Sequence, residues 1–187
     1  VYDAEDRRYL DATASLWYAN LGHGRAEIAD AAAAQMRKLE AYSTFGEFSN
    51  QPANALCRAL AERAPMEDAR VFRGSGGGDA IDTAAKIARR HFIVAGRPER
   101  VHLISRTQGY HGTHGFGTSI GGIEANVTNW GPLIGGTSSV EFDSLPALEA
   151  EIQRIGPDRV AAFFCEPVIG AGGVYPPPEG YIQGVAD

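Results

Sequence analysis

A cluster of glycines followed by an acid is the stretch of this sequence with the clearest chemical meaning. Gly76, Gly77 and Gly78 follow a short apolar run, and a helical pattern of apolar residues begins directly after them. Consecutive glycines let the backbone approach a ligand closely, and the N-terminus of a helix favours anions. Asp79 lies near the predicted helix start, where a carboxylate suits both capping and the helix dipole. The stretch predicts a phosphate-binding loop, with a flexible turn that binds nothing as the alternative.

The spacing of the glycines narrows the kind of phosphate ligand. A dinucleotide fingerprint requires G-x-G-x-x-G/A. Counted from Gly74, the sixth position is Asp79, and counted from Gly76 it is Ile81. The Gly-Lys-Ser/Thr of a P-loop is absent, and Arg106 follows the next predicted strand where an acid would hold a ribose. We therefore expect a site for a single phosphate.

Aromatic and imidazole side chains follow the strand predicted at residues 101–105. Tyr110 precedes His111 and Gly112 there, so its ring is placed either to stack on a planar cofactor or only to pack. His111 and His114 are three residues apart, but no third ligand lies nearby, and the pair does not predict a metal site.

A carboxylate and two aromatic residues complete the candidate set. Glu166 ends the most apolar predicted strand, and a carboxylate at that depth must be paired or hydrogen-bonded. We expect it to face a polar site, with a strand-end residue reaching solvent as the alternative. Trp17 and Phe45 are placed either in an aromatic pocket or in the core, and the residue types alone favour the core.

The elements that must position these residues alternate from Arg70 onward. Apolar residues of the helix after the glycines share one face, namely Ile81, Ala84, Ala85, Ala88 and Phe92. Alternating strands and helices predict a mostly parallel sheet flanked by helices, with ligands at the carboxyl ends of the strands. The full prediction has helices at 25–42, 52–64 and after residue 78, strands at 71–72, 101–105, 140–142 and 159–165, and a helix from Ser144 to Gly156.

Bulk properties exclude several classes of protein. The chain has 187 residues, a formal net charge of -6 and two cysteines. An acidic balance without a basic stripe argues against a nucleic-acid partner, and no apolar run is long enough to span a membrane. The cysteine usage predicts a reduced, cytoplasmic protein. Because the chain starts at Val1 and stops at Asp187 within a predicted helix, we expect a fragment of a longer protein.

Four short motifs together resemble the class III (omega) aminotransferases, pyridoxal-phosphate enzymes of fold type I. They occur in the family's order and spacing: Leu16-Trp17 with 20–24, then 75–83, then 110–112, then 162–173. The resemblance implies an α/β fold, the N-terminal half of a fold type I transferase. Residues 1–50 would contribute to a small domain and the substrate pocket, and residues 51–187 would form the first part of the large cofactor-binding domain.

The resemblance also assigns roles to the candidate residues. The phosphate of pyridoxal 5′-phosphate would be held by the backbone amides of Gly77 and Gly78 in the glycine loop, residues 74–78. Tyr110 would stack on the cofactor ring with support from His111. The implied cofactor-binding set is Gly77, Gly78, Asp79, Tyr110, His111 and Glu166, with Trp17 and Phe45 lining the substrate pocket and no metal. Two positions depart from the family, which usually has Ser where this chain has Gly78 and Glu where it has Asp79.

The implied activity is transfer of an amino group from a primary amine or omega-amino acid to a keto acid such as pyruvate, by a cytoplasmic homodimer. The Schiff-base lysine is expected beyond Asp187, because Lys38 and Lys86 are not at the motif position. Aminomutase or decarboxylase activity on the same scaffold stays an alternative. Two further alternatives are a nicotinamide-dependent oxidoreductase and a non-catalytic remnant. The glycine spacing counts against the oxidoreductase.

Overall fold

The computed structural model describes residues 1–187 and divides the chain into two compact units, Val1–Val71 and Phe72–Asp187. The boundary between the units therefore follows Val71, whereas the sequence placed a boundary after residue 50. The assignment of residues 1–50 and 51–187 to parts of a small and a large domain remains a prediction.

The first unit contains the left-handed turn α1 (Ala14–Trp17) and two helices, α2 (Ala26–Lys38) and α3 (Gln51–Ala61). Helix α3 begins where the Asn50 side chain accepts a hydrogen bond from the amide of Ala53, with a proline in the first turn. Helices α2 and α3 confirm the two helices predicted in this region, but both end earlier than the sequence indicated. No residue of this unit is buried, so the apolar stripes of its helices remain exposed.

A three-stranded parallel sheet forms the centre of the second unit. Its strands are β1 (His102–Arg106), β2 (Thr137–Val140) and β3 (Val160–Phe163), arranged in the order β2-β1-β3. The parallel sheet is confirmed. The predicted strand at 71–72 is wrong, because this segment is irregular and the Phe72 side chain is exposed. The prediction at 140–142 found only the last residue of β2, since Thr137–Val140 pair with β1.

Helices cover both faces of the sheet. They are α4 (Gly77–Val94), α5 (Gly115–Ser119), α6 (Glu124–Val127), α7 (Leu145–Ile155) and α8 (Tyr181–Ala186), with a 3-10 turn at Pro157–Arg159. Successive strand residues point to opposite faces, and Leu103 packs with Ala85 of α4 while Ile104 packs with Leu148 of α7. Ala84, predicted to lie on the buried face of α4, is exposed. No helix combines the length and apolarity needed to cross a bilayer.

Local signals fix α7 at both ends. The Ser144 hydroxyl accepts a hydrogen bond from the amide of Ala147 at 3.2 Å, which satisfies one of the unpaired donors of the first turn. Gly156 ends the helix with φ 96°, a conformation that costs little only for glycine. The predicted helix between these two residues is confirmed.

Candidate active site

The glycine loop presents unpaired backbone amides at the start of α4. Gly76 caps the helix, and its carbonyl accepts from the amide of Ala80 at 3.0 Å. The amides of Gly77 and Gly78 donate to no protein acceptor. Because helix N-termini carry partial positive charge, these free donors form a place where an anion would be stabilised.

Asp79 folds back over the loop. One of its carboxylate oxygens, Oδ2, accepts from the amide of Ser75 at 2.9 Å and from the Ser75 hydroxyl at 3.3 Å. Because this oxygen also lies 2.8 Å from the place of a Cβ at Gly74, position 74 has no room for a side chain. Asp79 therefore holds the shape of the loop, and its carboxylate is engaged by the loop itself.

Backbone contact joins the glycine loop to the loop that carries Tyr110 and His111. Gly112 has φ +93°, and a Cβ at this residue would lie 2.7 Å from the Cα of Gly78. A side chain at position 112 would therefore require both a strained backbone and a displaced loop. This contact brings together two groups of residues that are separated by more than thirty positions in the sequence.

The Glu166 carboxylate links the loops that follow β1 and β3. Its Oε1 accepts from the backbone amide of Tyr110 at 2.9 Å, and its Oε2 accepts from the amide of Gly170 at 2.9 Å. The carboxylate is thus hydrogen-bonded, as its position after an apolar strand predicted. Both bonds use backbone donors, so Glu166 orders the two loops and leaves the phenol of Tyr110 free.

Tyr110 and His111 differ sharply in exposure. The Tyr110 side chain is partly open to solvent, whereas His111 is 6% exposed and lies edge-on to Phe164 with ring centroids 6.2 Å apart. Burial lowers the pKa of His111, the Glu166 charge partly offsets this, and the Arg106 charge adds to the lowering. The imidazole is therefore neutral at pH 7.

Arg106 belongs to this region although the sequence did not single it out for a role in the site. It is 2% exposed, and its guanidinium donates to the carbonyls of Phe142, at 3.2 Å, and of Glu166. The guanidinium also lies over the Tyr181 ring at 5.4 Å. The available signal was a charged residue ending an apolar strand, where a buried charge requires specific partners.

Trp17 and Phe45 lie in the first unit and are not core residues. Their exposed fractions are 52% and 87%, so the core interpretation that residue types favoured is wrong. Trp17 ends a left-handed turn in which all four residues of α1 have φ between 47° and 71°. Such backbone is strained for residues other than glycine.

A polar cluster holds the left-handed turn. The Asp11 carboxylate accepts from the Ser15 amide at 3.1 Å and from its hydroxyl at 2.9 Å, and it contacts His23 Nε2 at 2.7 Å. The bond with His23 is the largest cause of a lowered Asp11 pKa. The ionised carboxylate therefore stabilises the backbone that presents Trp17.

Both lysines of the chain lie in helices. Lys38 is the last residue of α2. Lys86 is exposed in α4, about 12 Å along the helix axis from Gly78 at 1.5 Å per residue. Lys86 is accordingly not part of the site formed by the loops of the second unit.

A parallel sheet covered by helices on both faces, with loops gathered at its carboxyl edge, defines an α/β protein of the kind that binds ligands at that edge. The sequence model described as "Aminotransferase class-III" matches residues 1–187. The chain belongs to the class III aminotransferases.

Individual relatives and solved structures are consistent with this family assignment. The chain is 36% identical over 198 residues to the putrescine–pyruvate aminotransferase of Pseudomonas aeruginosa, covering 97% of this chain and 43% of that protein. It resembles an (S)-enantioselective omega-transaminase from Thermomicrobium roseum with a TM-score of 0.95 and 37% identity, over 100% of this chain and 45% of that one. The PLP-bound amine transaminase of an uncultivated Pseudomonas species gives a TM-score of 0.93 and 35% identity, covering 98% and 46%. The chain thus spans less than half the length of these relatives.

Proposed function

We propose that the protein is a pyridoxal-phosphate-dependent aminotransferase that moves an amino group from a primary amine or omega-amino acid to a keto acid such as pyruvate. Membership of the class III family over residues 1–187 supports this, as does similarity to a putrescine–pyruvate aminotransferase. The observation that carries the proposal is the pair of free amides at Gly77 and Gly78, packed against the loop of Tyr110.

The residues of the second unit fit a phosphorylated planar cofactor. A Cβ at Gly77 would meet nothing within 4 Å, so the first turn of α4 is open to a ligand. Its unpaired amides suit a phosphate dianion. When bound, pyridoxal 5′-phosphate supplies an electron sink for the carbon that carries the amino group.

Each residue of the proposed site has a distinct task. The amides of Gly77 and Gly78 bind the phosphate, and Asp79 keeps the loop in the conformation that exposes them. The Tyr110 ring, which is free of the core, would stack on the cofactor ring. Glu166 orients the Tyr110 backbone and would contribute to the cofactor site from there, and neutral His111 would support Tyr110.

The remaining assignments rest on the family resemblance together with exposure. Trp17 and Phe45 present apolar rings to solvent and are proposed to contact the substrate. The lysine that binds the cofactor covalently is proposed to lie beyond Asp187, since Lys86 is remote from the glycine loop. We further propose that the protein is a homodimer, as the family resemblance implies. We also propose a cytoplasmic location, which the two free cysteines support.

Equilibrium dialysis of pyridoxal 5′-phosphate against the protein tests the proposed site. Gly77→Val should weaken binding strongly, because the branched side chain would occupy open space at the first turn of α4, where its Cβ meets no protein atom within 4 Å. Gly131→Ala, in open space elsewhere, is the control and should bind as the wild type does. Unchanged affinity in Gly77→Val would place the phosphate elsewhere.

Turnover is measured separately in the protein extended beyond Asp187, as formation of alanine from putrescine and pyruvate. Borohydride reduction followed by peptide mapping should find the cofactor on a lysine other than Lys38 or Lys86. A cofactor fixed on either of these lysines would contradict the assignment.

A further inference from the structure

Arg106 is a buried cation without an ionic partner. It ends the central strand β1 and is 2% exposed. None of the ion pairs in the structure includes it, and its Nε finds no acceptor. Placing an unpaired guanidinium in the interior is costly. Its location therefore calls for an explanation beyond packing.

The two hydrogen bonds of Arg106 connect the ends of all three strands. Its Nη1 donates to the carbonyl of Phe142, just after β2, and its Nη2 donates to the carbonyl of Glu166, just after β3. These acceptors lie on opposite sides of the central strand in the order β2-β1-β3. The planar guanidinium presents its donors in a fixed fork, so one side chain sets the distance between the two segments.

The bond to Glu166 has a direct consequence for the candidate site. The carbonyl of Glu166 is held by Arg106, and the carboxylate of the same residue accepts from the amides of Tyr110 and Gly170. A residue anchored at its backbone has its carboxylate in a defined place. The position of the Tyr110 loop therefore depends on Arg106 through one intervening residue.

We propose that Arg106 is a positioning residue, which fixes Glu166 and through it the Tyr110 loop against the cofactor. The proposal rests on the proposed function. Arg106 contacts neither cofactor nor substrate in this role. Its effect is transmitted by the Glu166 backbone and by the positive charge that it places near His111.

The charge of Arg106 provides a second way to test the positioning role. The charged groups that face His111 are Glu166, which raises its pKa, and Arg106, which lowers it in addition to burial. Removing the positive charge should raise the His111 pKa, whereas a lysine at position 106 should largely preserve it. A residue that only filled space would leave this titration unchanged.

Arg89 offers a matched control in the same unit. Its guanidinium donates to the carbonyls of Val101, at 2.8 Å, and Gly135, at 2.9 Å, and lies over the Phe116 ring at 4.9 Å. The kinds of bond are the same as those of Arg106, but none of them reaches Glu166. Comparing variants of Arg106 and Arg89 therefore separates a general loss of stability from a specific loss of the position of Glu166.

The experiment compares Arg106→Lys, Arg106→Gln and Arg89→Gln. Hydrogen exchange of the Tyr110 and Gly170 amides reports the Glu166 bonds directly, NMR titration reports the His111 pKa, and dialysis reports pyridoxal 5′-phosphate affinity. Both Arg106 variants should lose amide protection and weaken cofactor binding about tenfold, the order expected when a bond to a charged donor is lost. Only Arg106→Gln should raise the His111 pKa, and Arg89→Gln should change neither the two amides nor the affinity.

Several outcomes would overturn the positioning role. They are unchanged amide protection in Arg106→Lys, an equal loss in Arg89→Gln, and failure of both Arg106 variants to fold, which would show a structural role only. Failure of the wild type to bind the cofactor would count against the proposed function. The amide and His111 measurements would still decide whether Arg106 sets the Tyr110 loop.

Discussion

The imidazole of His114 fills the space beside Gly78 in which a side chain at position 78 would lie. A Cβ at Gly78 would be 3.3 Å from Nδ1 of His114 and 3.4 Å from Cε1. Contacts of this length require the neighbour to move by a few tenths of an ångström. A side chain at position 78 would therefore have to displace the His114 ring.

This contact makes the effect of Gly78→Ser depend on His114. With His114 present, the serine must displace the ring, so we expect cofactor affinity to stay the same or fall. In a His114→Ala background the hydroxyl is free to reach the phosphate, and affinity should rise by about 1 kcal/mol, the worth of one hydrogen bond. A double-mutant cycle on dissociation constants measures the coupling. Equal tightening in both backgrounds would refute it.

Gly112→Ala should disturb the glycine loop, although the two are far apart in the sequence. The substitution places a Cβ 2.7 Å from the Gly78 Cα at φ +93°. Gly131→Ala shares the positive φ, +78°, but meets nothing within 4 Å, so it carries only the backbone strain of about 1–2 kcal/mol. Gly112→Ala should lose more unfolding free energy than this control and should also lose cofactor affinity. Equal losses in chemical denaturation would show that the contact with Gly78 is unimportant.

Trp17→Ala should change substrate preference more than stability. A core tryptophan would lose about 3–5 kcal/mol on truncation, but Trp17 is half exposed. If its ring contacts the substrate, the ratio of kcat/KM for bulky and small amines should shift in the protein that turns over, while Tm changes little. A large fall in Tm with the ratio unchanged would remove Trp17 from the substrate pocket.

Glu151 should contribute a pH-dependent part of the stability of the second unit. Two hydrogen bonds from Arg154, both at 2.7 Å, are the largest cause of a Glu151 pKa lowered from 4.5 to about 2. A depressed folded-state pKa gives stability that is complete above 4.5 and is lost as the pH falls to about 2. The Arg154 side chain is 66% exposed, so we expect about 1 kcal/mol or less.

Denaturation of the wild type and Glu151→Gln between pH 2 and pH 7 measures this contribution. The variant should be less stable than the wild type at pH 7, and the two should converge as the pH approaches 2. A difference that stays constant over the range would assign the effect to packing and not to charge.

The sequence by itself determined the elements whose signals are local. Ser144 and Gly156 mark the ends of α7, and the glycines followed by a helical pattern mark the start of α4. Caps and helical periodicity act within a few residues, so they can be recognised without knowing the rest of the fold. The alternation of strands and helices likewise predicted the parallel sheet.

Only the tertiary structure decided how the site is held together. Strand bounds depend on pairing, so β2 begins at Thr137 where β1 provides a partner. The carbonyls that Arg106 binds are 36 and 60 residues away, and Glu166 meets the Tyr110 amide across 56 residues. No short-range pattern encodes such partners, because they become neighbours only when the sheet brings the strand ends to one edge. For the same reason the sequence indicated Gly78 and Glu166, while Arg106 and the His114 contact emerged from the fold.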